Sequence, residues 1–123
     1  MENIVKKKDE PMLIIKKYDD LIKYTYDIVR KFPKNERFTL VSEIKDCLLK
    51  GFQLLLYAER QYSKSTKIKY LTDLDVNLQV LKFYIRLSKK YNYINSKNYE
   101  AWSYKITIVC NMLGAWMNTC LAR

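Results

Sequence analysis

The sequence contains no histidine and very little glycine or proline. Among its 123 residues there are two Gly, two Pro and no His. The absence of histidine removes the usual general base, the histidine-based triads and most zinc, haem and di-iron sites. The shortage of Gly and Pro argues against a β-sandwich or β-barrel, which needs many tight turns. These absences favour an all-helical protein with no catalytic residues, no metal and no cofactor of its own.

Cysteines and long hydrophobic runs are also scarce. Cys47, Cys110 and Cys120 are odd in number and show no Cys-x-x-Cys spacing, so we interpret them as small apolar core residues of a protein in a reducing compartment. The longest uncharged run, 106–122, has seventeen residues, four of them polar. It is short and polar for a bilayer span. We therefore expect a cytoplasmic protein with no membrane partner.

What the chain has in abundance is positive charge. Lys and Arg number 23 against 13 Asp and Glu, which gives a formal net charge of +10. On a domain of this size, such a charge attracts polyanions, whether nucleic acid, an acidic protein face or an anionic bilayer. A basic protein with no polyanionic partner is the alternative, and composition by itself does not choose between the two.

Apolar residues recur every three or four positions over four segments, which predicts four helices. A flexible polar leader at 1–11 precedes the first helix, which runs from about residue 12 to residue 32. Breaks at 32–38, 63–66 and 92–96 separate the remaining three helices. Helices of this length joined by short loops predict an all-α, antiparallel up-down-up-down four-helix bundle that occupies residues 12–123 as a single domain.

The second and third helices carry more apolar surface than one bundle core requires. The core-facing stripe of the second helix ends with Ala58 and Tyr62, and a further stripe lies beside it on each helix. The surplus positions are Leu49, Phe52, Leu56, Val76, Val80, Phe83 and Leu87. This surplus predicts that the bundle self-associates. Gly114, inside the fourth helix, is expected to permit close approach of another helix or subunit.

Acidic pairs and glycines offer no catalytic site. Asp19 and Asp20 are adjacent, and Asp73 and Asp75 stand two residues apart, so on helices their side chains diverge. The two glycines are too far apart in sequence to form a phosphate-binding loop. We expect no enzymatic activity. A weak nuclease that holds a divalent metal at Asp73 or Asp75 is the remote alternative.

Cations are concentrated where the predicted helices end. In an up-down bundle, the loop between helices one and two and the loop between helices three and four lie at the same end. Tyr91 and Tyr93 are interleaved with the cations there, so the end can neutralise phosphates and stack unpaired bases. We predict that eight cations form a nucleic-acid-binding or partner-binding site: Arg30, Lys31, Lys34, Arg37, Arg86, Lys89, Lys90 and Lys97.

The opposite end of the predicted bundle is also basic. Arg60, Lys64, Lys67 and Lys69 lie there, so charge leaves the choice of end open. For either cluster, the alternative is that the cations complement helix dipoles and keep the protein in solution.

Three motifs carry a resemblance to a known family. They are Phe32 to Leu40, with the sequence FPKNERFTL, then Tyr70 to Leu87, which contains YLxDLD and IRL, and Met112 to Trp116, with the sequence MLGAW. In this order the chain resembles the accessory variability determinant of diversity-generating retroelements. The similarity extends from about residue 18 to residue 118. This family of four-helix bundles is related to proteins encoded in intervening sequences of ribosomal-RNA genes.

The resemblance implies a basic homopentamer shaped as a short barrel. Such a protein binds the reverse transcriptase of its element together with template RNA or an RNA/DNA hybrid, and supports mutagenic reverse transcription and retrohoming without catalysis of its own. The alternatives are the related ribosomal-RNA intervening-sequence protein and a basic oligomeric scaffold for an acidic protein partner.

Overall fold

The chain folds into four long α-helices. The computed structural model describes the backbone of residues 2–122 and the side chains of residues 13–122, and no strand occurs in that range. The helices are α1 (Glu2–Val29), α2 (Leu40–Arg60), α3 (Lys64–Lys90) and α4 (Ser96–Leu121), with a 3-10 helix at Lys34–Glu36. Each helix packs against the next, and α1 also packs against α4. The all-α prediction is confirmed, and the four helices form a bundle.

Several helix boundaries differ from the predicted ones: α1 ends at Val29, three residues before the predicted end, and α3 begins at Lys64, inside the predicted break. Helix α1 begins at Glu2, so the backbone of residues 2–11 is helical where a polar leader is predicted. Lys and Glu, which are common in this segment, have high helix propensity. They are polar, so the segment has no regular apolar spacing that would predict a helix. Met1 and the side chains of 1–12 lie outside the described residues. Helix α2 ends at Arg60, and Gln61 has an extended backbone (ψ 137°).

The early end of α2 changes the position of one predicted core residue. Tyr62 lies beyond the helix and is fully exposed, so its assignment to the core-facing stripe is wrong. The three-four spacing continues through Tyr62 in sequence, but it has no structural meaning once the backbone leaves the helix. Ala58, four residues earlier, is buried as predicted.

Polar bonds between helices set the register of the core. The Trp102 indole of α4 donates to the Thr25 hydroxyl of α1 at 2.9 Å, and both residues are buried. In the middle of the bundle, the Tyr18 hydroxyl donates to the Leu48 carbonyl of α2 at 2.7 Å. The Asn77 amide of α3 donates to the Cys47 carbonyl, also at 2.7 Å. Helix α2 is thereby tied to α1 and α3 at neighbouring carbonyls.

The two glycines have opposite environments. Gly51 is buried, and a Cβ there would lie 2.1 Å from the Tyr18 hydroxyl and 2.7 Å from the Asn77 amide nitrogen. A Cβ at Gly114 would meet nothing within 4 Å among the described residues. The expected close approach of another helix at Gly114 is therefore wrong within this chain. Approach of another subunit there stays a prediction.

The cysteines are half-buried and free, and they pack against the core. Burial raises the pKa of the Cys47 thiol to about 11, and burial also raises the pKa of Cys110. Both thiols therefore stay protonated and poorly nucleophilic at neutral pH. Within the described residues, no three Cys, Asp or Glu side chains are grouped to hold a metal. None of the helices in that part of the chain has the length and apolar character needed to cross a bilayer.

Candidate nucleic-acid interface

Two turns meet at one end of the bundle. The Tyr93 hydroxyl, between α3 and α4, donates to the Glu36 carboxylate, between α1 and α2, at 2.6 Å. The Phe32 and Tyr93 rings are also in contact, with centroids 5.4 Å apart. We call this region, residues 30–39 and 91–95 with the adjoining helix termini, the double-turn end. The predicted placement of the two loops at one end is confirmed.

Local sequence shapes both turns. Pro33 (φ −56°) precedes the 3-10 helix, a position that suits its fixed φ and missing N–H. After α3, Asn92 adopts φ 62°, a left-handed conformation that asparagine tolerates and that ends a helix. The Tyr93 N–H then bonds to the Ser88 carbonyl at 2.9 Å. The Asn95 side chain caps α4 by accepting from the Asn98 N–H at 2.8 Å.

The eight predicted cations all lie at or near the double-turn end. Seven are exposed and Lys89 is half-buried. Within residues 13–122 the ion pairs are Lys23 with Asp19 at 2.8 Å and Arg60 with Glu59 at 3.4 Å, so none of the eight is paired there. Their charge is available to an external anion.

The structure divides these cations between separate surfaces. Arg30, Lys34 and Arg37 line one groove together with Lys45. Arg86 lines a second groove, between α3 and α4, together with Lys82. The remaining cations are not part of either groove and are listed here: Lys31, Lys89, Lys90 and Lys97.

Lys45 and Lys82 are groove residues that the sequence prediction missed. Each lies inside a helix, whereas the predicted cations were chosen because they flank the breaks between helices. Helical spacing could have indicated both residues, because side chains four residues apart lie on the same face of a helix. Lys82 is four residues before Arg86, and Lys45 is four residues after Val41, which also lines its groove.

Of the two tyrosines predicted as base platforms, only Tyr91 is available. Tyr93 is half-buried, and its ring packs against Phe32 and against Tyr91, whose ring centroid is 6.1 Å away. Its hydroxyl is bonded to Glu36, so Tyr93 holds the two turns together and the stacking prediction for it is wrong. Tyr91 is 58% exposed. Phe38, 86% exposed, is a second free ring at this end that the prediction missed.

Glu36 is the acceptor that joins the turns. Hydrogen bonds from the Thr39 hydroxyl and the Tyr93 hydroxyl lower the pKa of its carboxyl, and the same contact raises the pKa of the Tyr93 phenol. The ionised carboxylate and the neutral phenol are therefore the bonded forms. Both persist through the neutral pH range.

We expect acid to loosen the double-turn end before it unfolds the bundle. Because the folded-state pKa of Glu36 is lowered, its stabilising contribution is present above the ordinary value of 4.5 and is lost as pH falls through the folded-state value. Measured relative to the intrinsic exchange rate, which itself slows as pH falls from about 6 to about 3, amide hydrogen exchange at residues 30–39 and 91–95 should accelerate over that range. In Tyr93→Phe that extra acceleration should be smaller. Equal acceleration in both proteins would contradict the proposed role of this contact.

A separate apolar surface runs along α2 and α3. Of the seven surplus positions, Phe52 and Leu87 are half-buried. The other five are exposed in the single chain: Leu49, Leu56, Val76, Val80 and Phe83. We call these five residues the α2–α3 face. The predicted excess of apolar surface on these helices is confirmed.

Comparison with known proteins identifies the family. The matching family model is described as bAvd-like, and it covers residues 12–120, which include both turns and almost all of the helical bundle. The chain belongs to the bAvd-like family. This is the family of bacterial accessory variability determinants, and the resemblance seen in the sequence is confirmed. No curated protein matches the chain.

The part of the chain that matches the bAvd-like family model includes the surfaces described above. The family is not a known family of enzymes. The matched range contains the double-turn end, the α2–α3 face and the three sequence motifs.

Proposed function

We propose that this bAvd-like protein is a non-enzymatic accessory factor of a diversity-generating retroelement. It binds the reverse transcriptase of the element and nucleic acid, either template RNA or an RNA/DNA hybrid, in the cytoplasm. The polymerase supplies the chemistry. The accessory protein holds polymerase and nucleic acid together and supports mutagenic reverse transcription and retrohoming.

The observation that carries this proposal is the unpaired charge at the double-turn end. Lys89 and Lys90 lie in the last turn of α3, where a cation complements the helix dipole, so helix stability accounts for their charge. Helix stability does not account for Lys97, because it lies in the first turn of α4, where no acidic residue is present and the dipole disfavours a cation. Arg30, Lys31 and Lys34 lie outside the α-helices. An external polyanion accounts for all of them.

The α2–α3 face supports self-association. Val76 is 59% and Phe83 51% exposed in the single chain, and burying five such side chains against another copy removes a large apolar area from water. We propose that this face is covered in a homopentamer. Five subunits would carry a formal charge of about +50, since each carries +10. Such a field accelerates association with RNA and makes that association depend steeply on salt.

Affinity capture tests the proposed function. When the protein is co-expressed with the reverse transcriptase of its element, we expect capture at about 0.3 M salt, where exposed charge pairs are screened. Capture should survive nuclease treatment, and we expect about five accessory subunits for each polymerase if one proposed pentameric ring binds one polymerase.

Two other results of the capture experiment would contradict the proposal. Capture that disappears with nuclease would mean that RNA alone bridges the proteins. Absence of capture from cells that produce both proteins would favour a ribosomal-RNA intervening-sequence protein or a scaffold for an acidic partner.

A further inference from the structure

The opposite end of the bundle carries aromatic rings beside its cations. Residues 61–63 join α2 to α3 there, and we call this region, with the adjoining helix termini, the single-turn end. The Gln61 side chain donates to the Tyr57 carbonyl at 3.0 Å, and the Ser63 and Ser65 hydroxyls are bonded at 2.8 Å. These bonds hold a short turn in which the Tyr62 ring is fully exposed.

A preformed aromatic stack lies next to this turn. The Tyr57 and Tyr70 rings are nearly parallel, at 16°, with centroids 5.5 Å apart. Tyr70 is half-buried, whereas Tyr57 is 56% exposed. Because Tyr70 supports one face of Tyr57, the other face is presented in a fixed orientation. An unpaired base can extend such a stack.

Three of the four cations at this end are not explained by helix stability, whereas Arg60 lies in the last turn of α2, where the dipole favours a cation. Lys64, Lys67 and Lys69 occupy the first two turns of α3, where the helix dipole disfavours positive charge, and no acidic residue lies in the first turn. Lys67 lies over the Trp116 ring at 5.6 Å, which restricts its position. Arg60 contacts Glu59 at 3.4 Å, but both side chains are exposed, so the pair is weak.

We infer that the single-turn end is a second binding site, specific for single-stranded nucleic acid. Bases stack on Tyr57 and Tyr62, while phosphates contact Arg60, Lys64 and Lys69. Bases within a duplex are stacked on one another and do not reach these rings, so the site selects unpaired strands. The inference rests on the proposed function, because it assumes that the basic protein binds nucleic acid.

The two ends together explain why cations occur at both. Helix α2 spans 21 residues, so the single-turn and double-turn ends are about 30 Å apart. A strand that contacts both ends runs along the length of a subunit. Among the described residues at the single-turn end, Arg60, Lys64, Lys67 and Lys69 outnumber the one nearby carboxylate, Glu59, and such an excess of positive charge favours a polyanionic strand over a protein surface of mixed charge.

Photo-crosslinking tests the site in the intact protein. The probe is single-stranded oligouridine containing 5-iodouridine, and adducts are mapped by mass spectrometry of the digested protein. We expect adducts on Tyr57 and Tyr62. Adducts confined to the double-turn end would overturn this inference and leave the proposed function standing. Failure of the wild-type protein to bind RNA would overturn both.

Affinity measurements provide the second test. We expect the double variant Tyr57→Leu, Tyr62→Leu to bind single-stranded oligouridine about tenfold or more weakly, because each base–ring stack contributes substantially to affinity. Binding of an RNA duplex of the same length should change by less than about twofold. The matched control is Tyr104→Leu, a residue 67% exposed in the middle of α4, which should leave both affinities unchanged.

Two results of these measurements would contradict the site. Equal weakening for duplex and single strand would remove the selectivity for unpaired bases. A changed oligomeric mass in the double variant, with RNA affinity unaltered, would identify the single-turn end as a protein interface.

Discussion

Replacing Arg30, Lys34, Lys89 and Lys90 with glutamate is expected to weaken RNA binding about a thousandfold at 50 mM salt. Each substitution removes one cation and adds one anion, so the four change the formal charge from +10 to +2 per subunit, since 10 − 8 = 2. All four residues lie at the double-turn end, three of them exposed and Lys89 half-buried. The loss arises because phosphates then meet repulsive charge where counterion release previously favoured binding.

The salt dependence of binding provides an independent measure of the same contacts. If the wild-type protein contacts six or more phosphates, its RNA affinity should fall about a thousandfold between 50 and 200 mM salt. The variant should show a much smaller dependence, because fewer counterions are released. Circular dichroism should show unchanged helicity, since the substituted side chains make no ion pair within residues 13–122.

A matched pair of double variants separates local contact from overall charge. Lys34→Glu with Lys90→Glu and Lys16→Glu with Lys50→Glu both lower the formal charge from +10 to +6, since 10 − 4 = 6. All four lysines are exposed. If the double-turn end binds RNA, the first pair should weaken binding by at least about tenfold more than the second. Equal effects would show that RNA responds to net charge and not to this end of the bundle.

Gly51→Ala is expected to destabilise the protein by about 3 kcal/mol and to lower its Tm by roughly 10 °C or more. The new methyl group would lie 2.1 Å from the Tyr18 hydroxyl and 2.7 Å from the Asn77 amide nitrogen. Both groups donate to carbonyls of α2 at 2.7 Å, so relief of the overlap breaks buried hydrogen bonds or separates helices. The gain in helix propensity, about 1 kcal/mol, does not offset this cost. Urea unfolding at fixed protein concentration measures the difference.

The second glycine provides the control for this prediction. Gly114→Ala makes the same chemical change where nothing within the described chain lies within 4 Å, so stability should change by no more than about 1 kcal/mol. Adding Tyr18→Phe to Gly51→Ala removes the nearest overlapping atom and should restore part of the stability. A Gly51→Ala protein as stable as the wild type would refute the close packing of α1, α2 and α3 at this point.

Most features that depend on local sequence were predicted correctly, apart from the start of α1 and the end of α2. Four apolar stripes and three breaks follow from helical spacing and from residues that interrupt helices. The exposure of the α2–α3 face also follows from spacing, because two stripes on one helix cannot both face a single core.

Predictions that depended on contacts between distant residues were incomplete or wrong. Tyr93 and Glu36 are 57 residues apart in sequence, and their bond converts a supposed base platform into a tie between turns. The error at Tyr62 has a different, local cause, because this residue continues the apolar spacing but lies beyond the end of α2. The stacked Tyr57 and Tyr70 rings belong to two different helices, so their contact could not be predicted from the spacing of residues along either helix.

The amino-acid sequence by itself determined the helical class, the breaks, the excess of positive charge and the family, because periodicity, composition and motif order are properties of the chain. Only the tertiary structure decided which cations share a groove, which aromatic rings are free and why Gly51 tolerates no side chain. Those properties depend on distances between residues that are brought together from different helices, and such distances follow from how the helices pack.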